Sequence, residues 1–279
     1  FRAEAERYAA IQRGDRVASW PWGIGPLDEV AGVEPGTLTI LAGLSKHGKT
    51  RIAVHLSVGL LRAGIPVLHL PLEAGWQGTW RLYVSRWLGV DSRLVGRPDM
   101  ALSTIEILRG DAHGLYGVPL AMEDAAGLTS KELVARIREW WIRRGLEYGV
   151  VVVDFLQLCT DRGDSRAEVL TRVAYSLAEV AVRESGLAVL AVAQLNRQAE
   201  RDGFSAAEHL EGSGGIQQAA QSIVVIDSLY MRAIRKRVAD GSSEVPSARC
   251  APFKAHVLNR GGDSATCTFT GDLALGRFQ

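Results

Sequence analysis

Cysteine is scarce in this sequence: Cys159, Cys250 and Cys267 are the only three in 279 residues, with no CxxC pair and no metal-ligand spacing. That excludes a disulfide scaffold and a zinc module, and points to reduced thiols in a cytoplasmic setting. Long apolar runs are missing as well. Segments such as LAVLAVAQL at 187–195 reach about half of the ~20 residues a membrane helix needs, so no membrane span is expected. No secretory signal opens the chain, although it starts on Phe1 rather than Met, which leaves room for sequence upstream. Charge of one sign is absent too. With 32 basic against 31 acidic residues the net charge is +1, which excludes a polybasic protein while leaving a local basic groove open. No internal repeat is visible. What remains, 47% hydrophobic and 23% charged residues, suits one large core or one core with a small appendage.

Along the chain, apolar runs alternate with helical patterns. The runs are TLTILAG (37–43), PVLHLPL (66–72), VPLAME (118–123), YGVVVVDFL (148–156), LAVLAVAQL (187–195) and SIVVIDSL (222–229). They are continuously apolar rather than alternating, as parallel strands covered on both faces are. Between them, Val169, Val173, Leu177 and Val180 share one helical stripe, and Thr129 with Glu132 forms a capping box ahead of ELVARIREWW. The fold class is therefore α/β, with a mostly parallel central sheet and helices on both faces. FRAEAERYAAIQRGD predicts a helix at the N-terminus, within a linker-type segment 1–18, with the main domain over 19–279. WPWGIGPLDEVAGVEPG (20–36) reads as loop and turn, 230–250 as a polar, basic, mobile loop, and 254–271 as a β-hairpin around Gly261-Gly262-Asp263.

GLSKHGKT at 43–50 matches GxxxxGK[ST] in full, directly after an apolar strand and directly before a helical pattern. Such a loop curls backbone N–H groups around phosphates at a helix N-terminus. The expected cradle for ATP is Gly43, Ser45, Lys46, His47, Gly48, Lys49, Thr50 and Arg51, the His47 side chain carrying no chemistry of its own. Lys49 is expected to reach the β- and γ-phosphates and the Thr50 hydroxyl to hold Mg2+. Asp154 ends a run of four valines, where an acid is costly unless it meets a cation, and it is the second expected metal ligand. Glu73 ends the strand after the P-loop helix. Parallel strands deliver their C-terminal ends to one edge, so Glu73 is placed to orient water, though a solvated loop glutamate fits the spacing equally. Gln194 ends another buried strand, as a γ-phosphate sensor or as a satisfied strand-end amide.

At these stations the chain resembles the C-terminal ATPase domain of DnaB-type replicative helicases, which are RecA-like P-loop proteins. The likeness starts at about Trp22. It runs through GIGPLDEVAGVEPGTLTILAG, PLEAGW for the family's S-L-E, VVVDFLQL for I-D-Y-L-Q-L, and AVAQLNR for S-Q-L-N/S-R. HLEGSGGIQQAAQ then answers to D-L-R-E-S-G-x-I-E-Q-D-A-D, and VLNRGG with the closing GRF to K-x-R-N-G and R-F. The resemblance implies a catalytic glutamate at Glu73, a Walker B acid at Asp154, a coupling residue at Gln194, and an arginine finger at Arg260 acting on the neighbouring subunit. It also implies a hexameric ring around single-stranded DNA, and a primase or loader partner. DNA contacts would come from Arg162, Arg166, Arg197 and the loop holding Ser213 and Gly214, and the first helix would dock on a neighbour. The arginines read equally as an ordinary solvated face, and IRKR (234–237) as a solvated loop. Trp76, Trp80 and Trp87 are expected in the core or a subunit interface.

Three positions depart from the family pattern. Leu258 stands where the hairpin lysine belongs, Glu211 replaces the arginine of the DNA-facing loop, and Gly212 replaces the following glutamate. An anion in place of a cation weakens phosphate binding. The function expected is a helicase motor. The alternatives are a ring ATPase used as a nucleotide-driven switch or loader, and a small-molecule kinase, which the finger-like hairpin disfavours.

Overall fold

The computed structural model describes residues 19–73, 76–96, 114, 117–196, 198–202, 206–210, 212–240 and 245–279. The expected segment 1–18, Arg197 and Glu211 lie outside these residues, as does the Ser213 side chain. The strands are β1 (Leu38–Gly43), β2 (Val67–Pro71), β3 (Leu120–Met122), β4 (Gly149–Asp154), β5 (Leu187–Gln194), β6 (Ser222–Ser228), β7 (Ala251–Asn259), β8 (Ser264–Asp272) and β9 (Arg277–Phe278). They form one nine-stranded sheet in the order β3-β2-β4-β5-β1-β6-β7-β8-β9. Pairing is parallel from β3 to β6 and antiparallel from β6 to β9.

Why the inner strands are apolar throughout is visible in β4. Val151 and Val153 join the core on one face, while Val150 and Val152 join the core on the other. The first core is roofed by α4 (Ser130–Arg143), α5 (Arg166–Arg183) and α7 (Ser213–Ala219), and the second by α2 (Lys49–Arg62) and α3 (Trp76–Leu88). The stripe Val169, Val173, Leu177 and Val180 is buried in α5, and the Thr129–Glu132 capping box starts α4 as expected. The C-terminal hairpin alternates instead. Phe253, Ala255 and Val257 point inward, and Phe253 stacks on Phe269 at 5.3 Å between ring centres, with Phe278 edge-on. Deleting one such buried ring costs about 3–5 kcal/mol.

Two segments differ from the sequence reading. Residues 20–36 include a one-turn helix, α1 (Gly25–Asp28), and an antiparallel bridge between Trp20 and Val33. Trp20, Trp22, Ile24 and Leu27 are fully buried, so this Pro- and Gly-rich stretch, otherwise loop and turn as read, also covers the core. The second correction concerns 230–250. Its first half is a helix, α8 (Leu229–Asp240), because YMRAIRKRVA is built of good helix formers with no Gly or Pro, and charge density is not by itself a turn signal. Trp80 and Trp87 pack against the core while Trp76 is exposed.

Candidate functional site

Register places the site. Gly43, the last residue of β1, pairs with Gln194 on one side and Ile226 on the other. Asp154 ends β4 and pairs with Val192 of β5 and with Pro71 of β2, two residues before Glu73. The C-terminal ends of β2, β4, β1 and β5 thus form one edge, as ligand-binding parallel sheets do. The P-loop motif's two glycines have separate physical causes. A Cβ on Gly43 would sit 2.7 Å from the Ile226 carbonyl oxygen, and Gly48 has φ +86°, left-handed backbone that disfavours a side chain. Gly48 is the N-cap of α2 and offers no side chain, so no side-chain cap closes the start of that helix, the kind of end at which an anion binds well.

Lys49 is buried and its Nζ donates to the Gly43 and Leu44 carbonyls, both at 2.9 Å. Burial pushes it down to about 8, against the pull of Asp154 and Glu73. Asp154 is buried as well. Burial pushes its carboxyl up to about 6, a rise that the Thr50 hydroxyl and Lys49 hold back and Glu73 reinforces. A cation and an acid are therefore both held short of their preferred charge beside a glycine cradle, an arrangement that a phosphate–metal pair would relieve. Among the described residues no group of three or more His, Cys, Asp or Glu side chains forms a metal cage. Magnesium does not require one, because it binds through one or two carboxylates plus substrate phosphates. Thr50 and Asp154 fit that donor set.

Glu73 is exposed just past β2, and Gln194 is half-buried. Sequence reasoning missed the residue that holds Gln194. Gln157 lies in the 3₁₀ turn Leu156–Leu158 that follows the Asp154–Phe155 cis peptide. Its Nε2 donates to the Gln194 carbonyl at 2.9 Å, and its Oε1 accepts from the Gln194 N–H at 3.0 Å. Arg166 in turn donates to the Gln157 carbonyl. The available signal was DFLQL, in which the Gln is part of the motif but carries no assigned task.

The other cradle residues divide. Ser45 and Lys46 are exposed, and Lys46 has φ +66°. The His47 ring is buried away from the loop opening, its Nδ1 accepting from the Ser228 N–H at 3.0 Å. The Arg51 guanidinium turns to the Ser92 hydroxyl at 3.1 Å. Arg162 and Arg166 are exposed. Gly214 is exposed on α7, just after Gly212, whose φ of +73° and close approach to the Ala167 carbonyl give a local reason for the missing glutamate. Leu258 is half-buried in β7 against the core.

Arg260 sits apart from all of these. Its N–H donates to the Gln221 carbonyl at 2.8 Å, and the Gln221 N–H donates to the Leu38 carbonyl at 2.8 Å, at the start of β1. Since Asn259 pairs with Ser222 and Ser222 with Thr39, Arg260 is level with Leu38 and lies roughly 16 Å down the sheet from Gly43, at ~3.3 Å per residue. It is exposed at the opposite edge from the P-loop. No described helix is long and apolar enough to cross a membrane.

Comparison with known proteins follows the same lines. The family described as DnaB-like helicase C terminal domain matches residues 21–267. The replicative DNA helicase DnaB of Pasteurella multocida is 31% identical over 219 residues, covering 75% of this chain and 46% of that protein. The DnaB of Nostoc sp. is 26% identical over 182 residues, covering 64% of this chain and 21% of that one. The chain thus spans between about a fifth and a half of the length of these relatives. Among solved structures, one described as an ATPase domain matches with a TM-score of 0.77 at 21% identity, covering 99% of this chain and 96% of that one. A DnaB-like replicative helicase, described with its interactions with primase, matches at 0.78 and 21%, covering 99% of this chain and 65% of that one. These two likenesses are of fold.

Proposed function

This chain belongs to the DnaB-like helicase C-terminal domain family, and from that premise we propose that it is the ATP-hydrolysing motor of a DNA helicase that works as a ring on single-stranded DNA. The P-loop backbone and Lys49 hold the nucleotide phosphates, and Thr50 and Asp154 hold magnesium, whose charge neutralises the β/γ oxygens. Glu73 orients the attacking water, its carboxylate exposed just beyond the strand that pairs with Asp154. Gln194, hydrogen-bonded through its backbone to Gln157 and in register with Gly43, relays the state of the cradle to the segment beyond it.

The observation that carries the ring reading is the position of Arg260. A donor on the edge away from its own P-loop has no path to its own nucleotide, but it is well placed to meet a neighbour's. A hexamer, primase or loader contact, and a cytoplasmic site of action follow from the family and are part of the same proposal. DNA phosphates are met by Arg162, Arg166, Arg197 and the Ser213–Gly214 turn. ATP turnover measured with and without a single-stranded oligonucleotide tests it. Stimulation that weakens as salt rises is expected. A rate indifferent to DNA at low salt, in a preparation shown to form rings, overturns the DNA motor.

A further inference from the structure

The helix that replaces the expected basic loop touches the nucleotide cradle from outside. Arg235 of α8 splits its guanidinium between two partners. Its Nη2 donates to the Ser45 carbonyl of the P-loop at 3.0 Å, and its Nη1 donates to the Glu200 carboxylate at 2.7 Å. Glu200 belongs to α6 (Gln198–Arg201), the turn just beyond Gln194. Two residues further along the loop, His47 is held by the same junction: its Nδ1 accepts from Ser228, and Asp227 beside it accepts from Arg232 Nε at 2.6 and 2.8 Å. Both arms of the 45–47 turn are therefore fixed by the end of β6 and the first turns of α8.

A trans peptide points its N–H opposite to its C=O. With the Ser45 oxygen held on Arg235, the Lys46 N–H points away from Arg235, and a phosphate oxygen on that other side of the peptide would meet it. Lys46 adopts φ +66° without being glycine, a conformation that persists only where surrounding contacts enforce it. The Arg235–Glu200 pair is too exposed to add much stability, with side chains 32% and 52% accessible, so its contribution is orientation. A planar fork holds two such acceptors in fixed directions from one side chain, whereas a lysine presents a point charge on a flexible stem.

We propose that Arg235 is a positioning residue that presets the Ser45–Lys46 peptide for phosphate binding, and that Glu200 holds Arg235 in that pose. The inference rests on the nucleotide-binding reading above and adds residues to it that no motif contains. The test titrates the full chain with fluorescent ADP and Mg2+, and with pyrophosphate as competitor. Arg235→Ala weakens both ligands by roughly tenfold, as loss of one charge-assisted contact does, while the unfolding temperature without nucleotide stays put. Arg235→Lys recovers part of the loss. Glu200→Gln weakens ADP severalfold in the parent but not in the Arg235→Ala background, since the two act through one contact. Arg235→Ala binding both ligands within twofold of the parent overturns the proposal, as does a loss confined to ADP with pyrophosphate unaffected. Lys49→Ala separates the levels. If it also binds normally, the nucleotide site itself is misassigned; if it loses binding while Arg235→Ala does not, only the positioning role falls.

Discussion

Gln157 and Gln194 grip one another reciprocally, the Gln157 amide donating to the Gln194 carbonyl and accepting from the Gln194 N–H at 2.9 and 3.0 Å. A side-chain amide offers a donor and an acceptor side by side, which matches a backbone C=O and N–H. The pair ties the turn after Asp154 to the strand end beside Gly43. Gln157→Ala is therefore expected to leave ADP affinity within about twofold while cutting DNA-stimulated turnover by about tenfold, because one lost hydrogen-bond pair is worth ~1–3 kcal/mol. Stimulated and basal ATPase rates measured side by side check it. Equal loss of both rates and of affinity would mean that Gln157 only holds the fold.

Lys49 and Glu73 are expected to fail differently. Lys49→Ala removes the buried cation that faces the phosphates, so nucleotide binding and turnover vanish together. Glu73→Gln leaves the cradle intact and slows hydrolysis by about 10²-fold or more with ATP still bound. Filter binding and single-turnover kinetics separate the two. A Lys49→Ala protein that hydrolyses ATP at the parent rate sinks the P-loop assignment.

Arg260→Ala should bind ATP normally yet lose roughly 10³-fold or more in rate, the range an arginine finger supplies. Mixed with Lys49→Ala protein under conditions where subunits exchange, it should regain some activity, because a mixed junction pairs one intact cradle with one intact arginine. Demonstrated co-assembly without recovery, together with a well-preserved rate in Arg260→Ala alone, would rule out action across the junction.

The pH dependence of stability should follow two buried histidines. His55 accepts at Nδ1 from the Phe278 N–H and from Arg86, and burial with the nearby Arg86 charge drives its pKa down to about 4. His69 is driven by burial to about 3. Both fall below the ordinary 6.5, so the unfolded chain binds more protons in the window between. Stability is then complete above that value and is lost as pH falls through it toward 4, by up to about 1.4 kcal/mol per pH unit for each ring. Thermal unfolding across that range checks this. His55→Gln should flatten the slope whatever it does to the absolute midpoint, and an unchanged slope would acquit the ring.

Much of this was legible because the strands are short, continuous and apolar, and a P-loop must sit between a strand and a helix. β4 and its terminal Asp154, the capping box of α4 and the hairpin at 261–263 all read directly. What did not read were contacts whose partners are remote in sequence. Gln157 and Gln194 are separated by α5 and most of β5, and Arg235 and Ser45 lie 190 residues apart in the chain. Local composition also misled where two effects compete. The Pro and Gly of 20–36 mark turns correctly, yet the four large apolar side chains among them decide that the segment is buried. In 229–240 the charges look like a solvated loop, while the intrinsic preference of Ala, Met, Arg and Lys for helix decides the backbone.

The separation of Arg260 from the cradle gives a subunit a front and a back. If Arg260 serves a neighbour's cradle, as proposed, two copies meeting face to face by a two-fold axis would oppose like edges and leave both arginines idle, so productive contact would be head-to-tail. Such contact either closes or grows. In a closed circle the number of complete sites equals the number of subunits, and in any open string it is one fewer, with a cradle unserved at one end and an arginine unemployed at the other. On that proposal, opening a ring at a single junction would silence one site and only one, so an assembly that parted to admit a DNA strand would keep all its other sites intact.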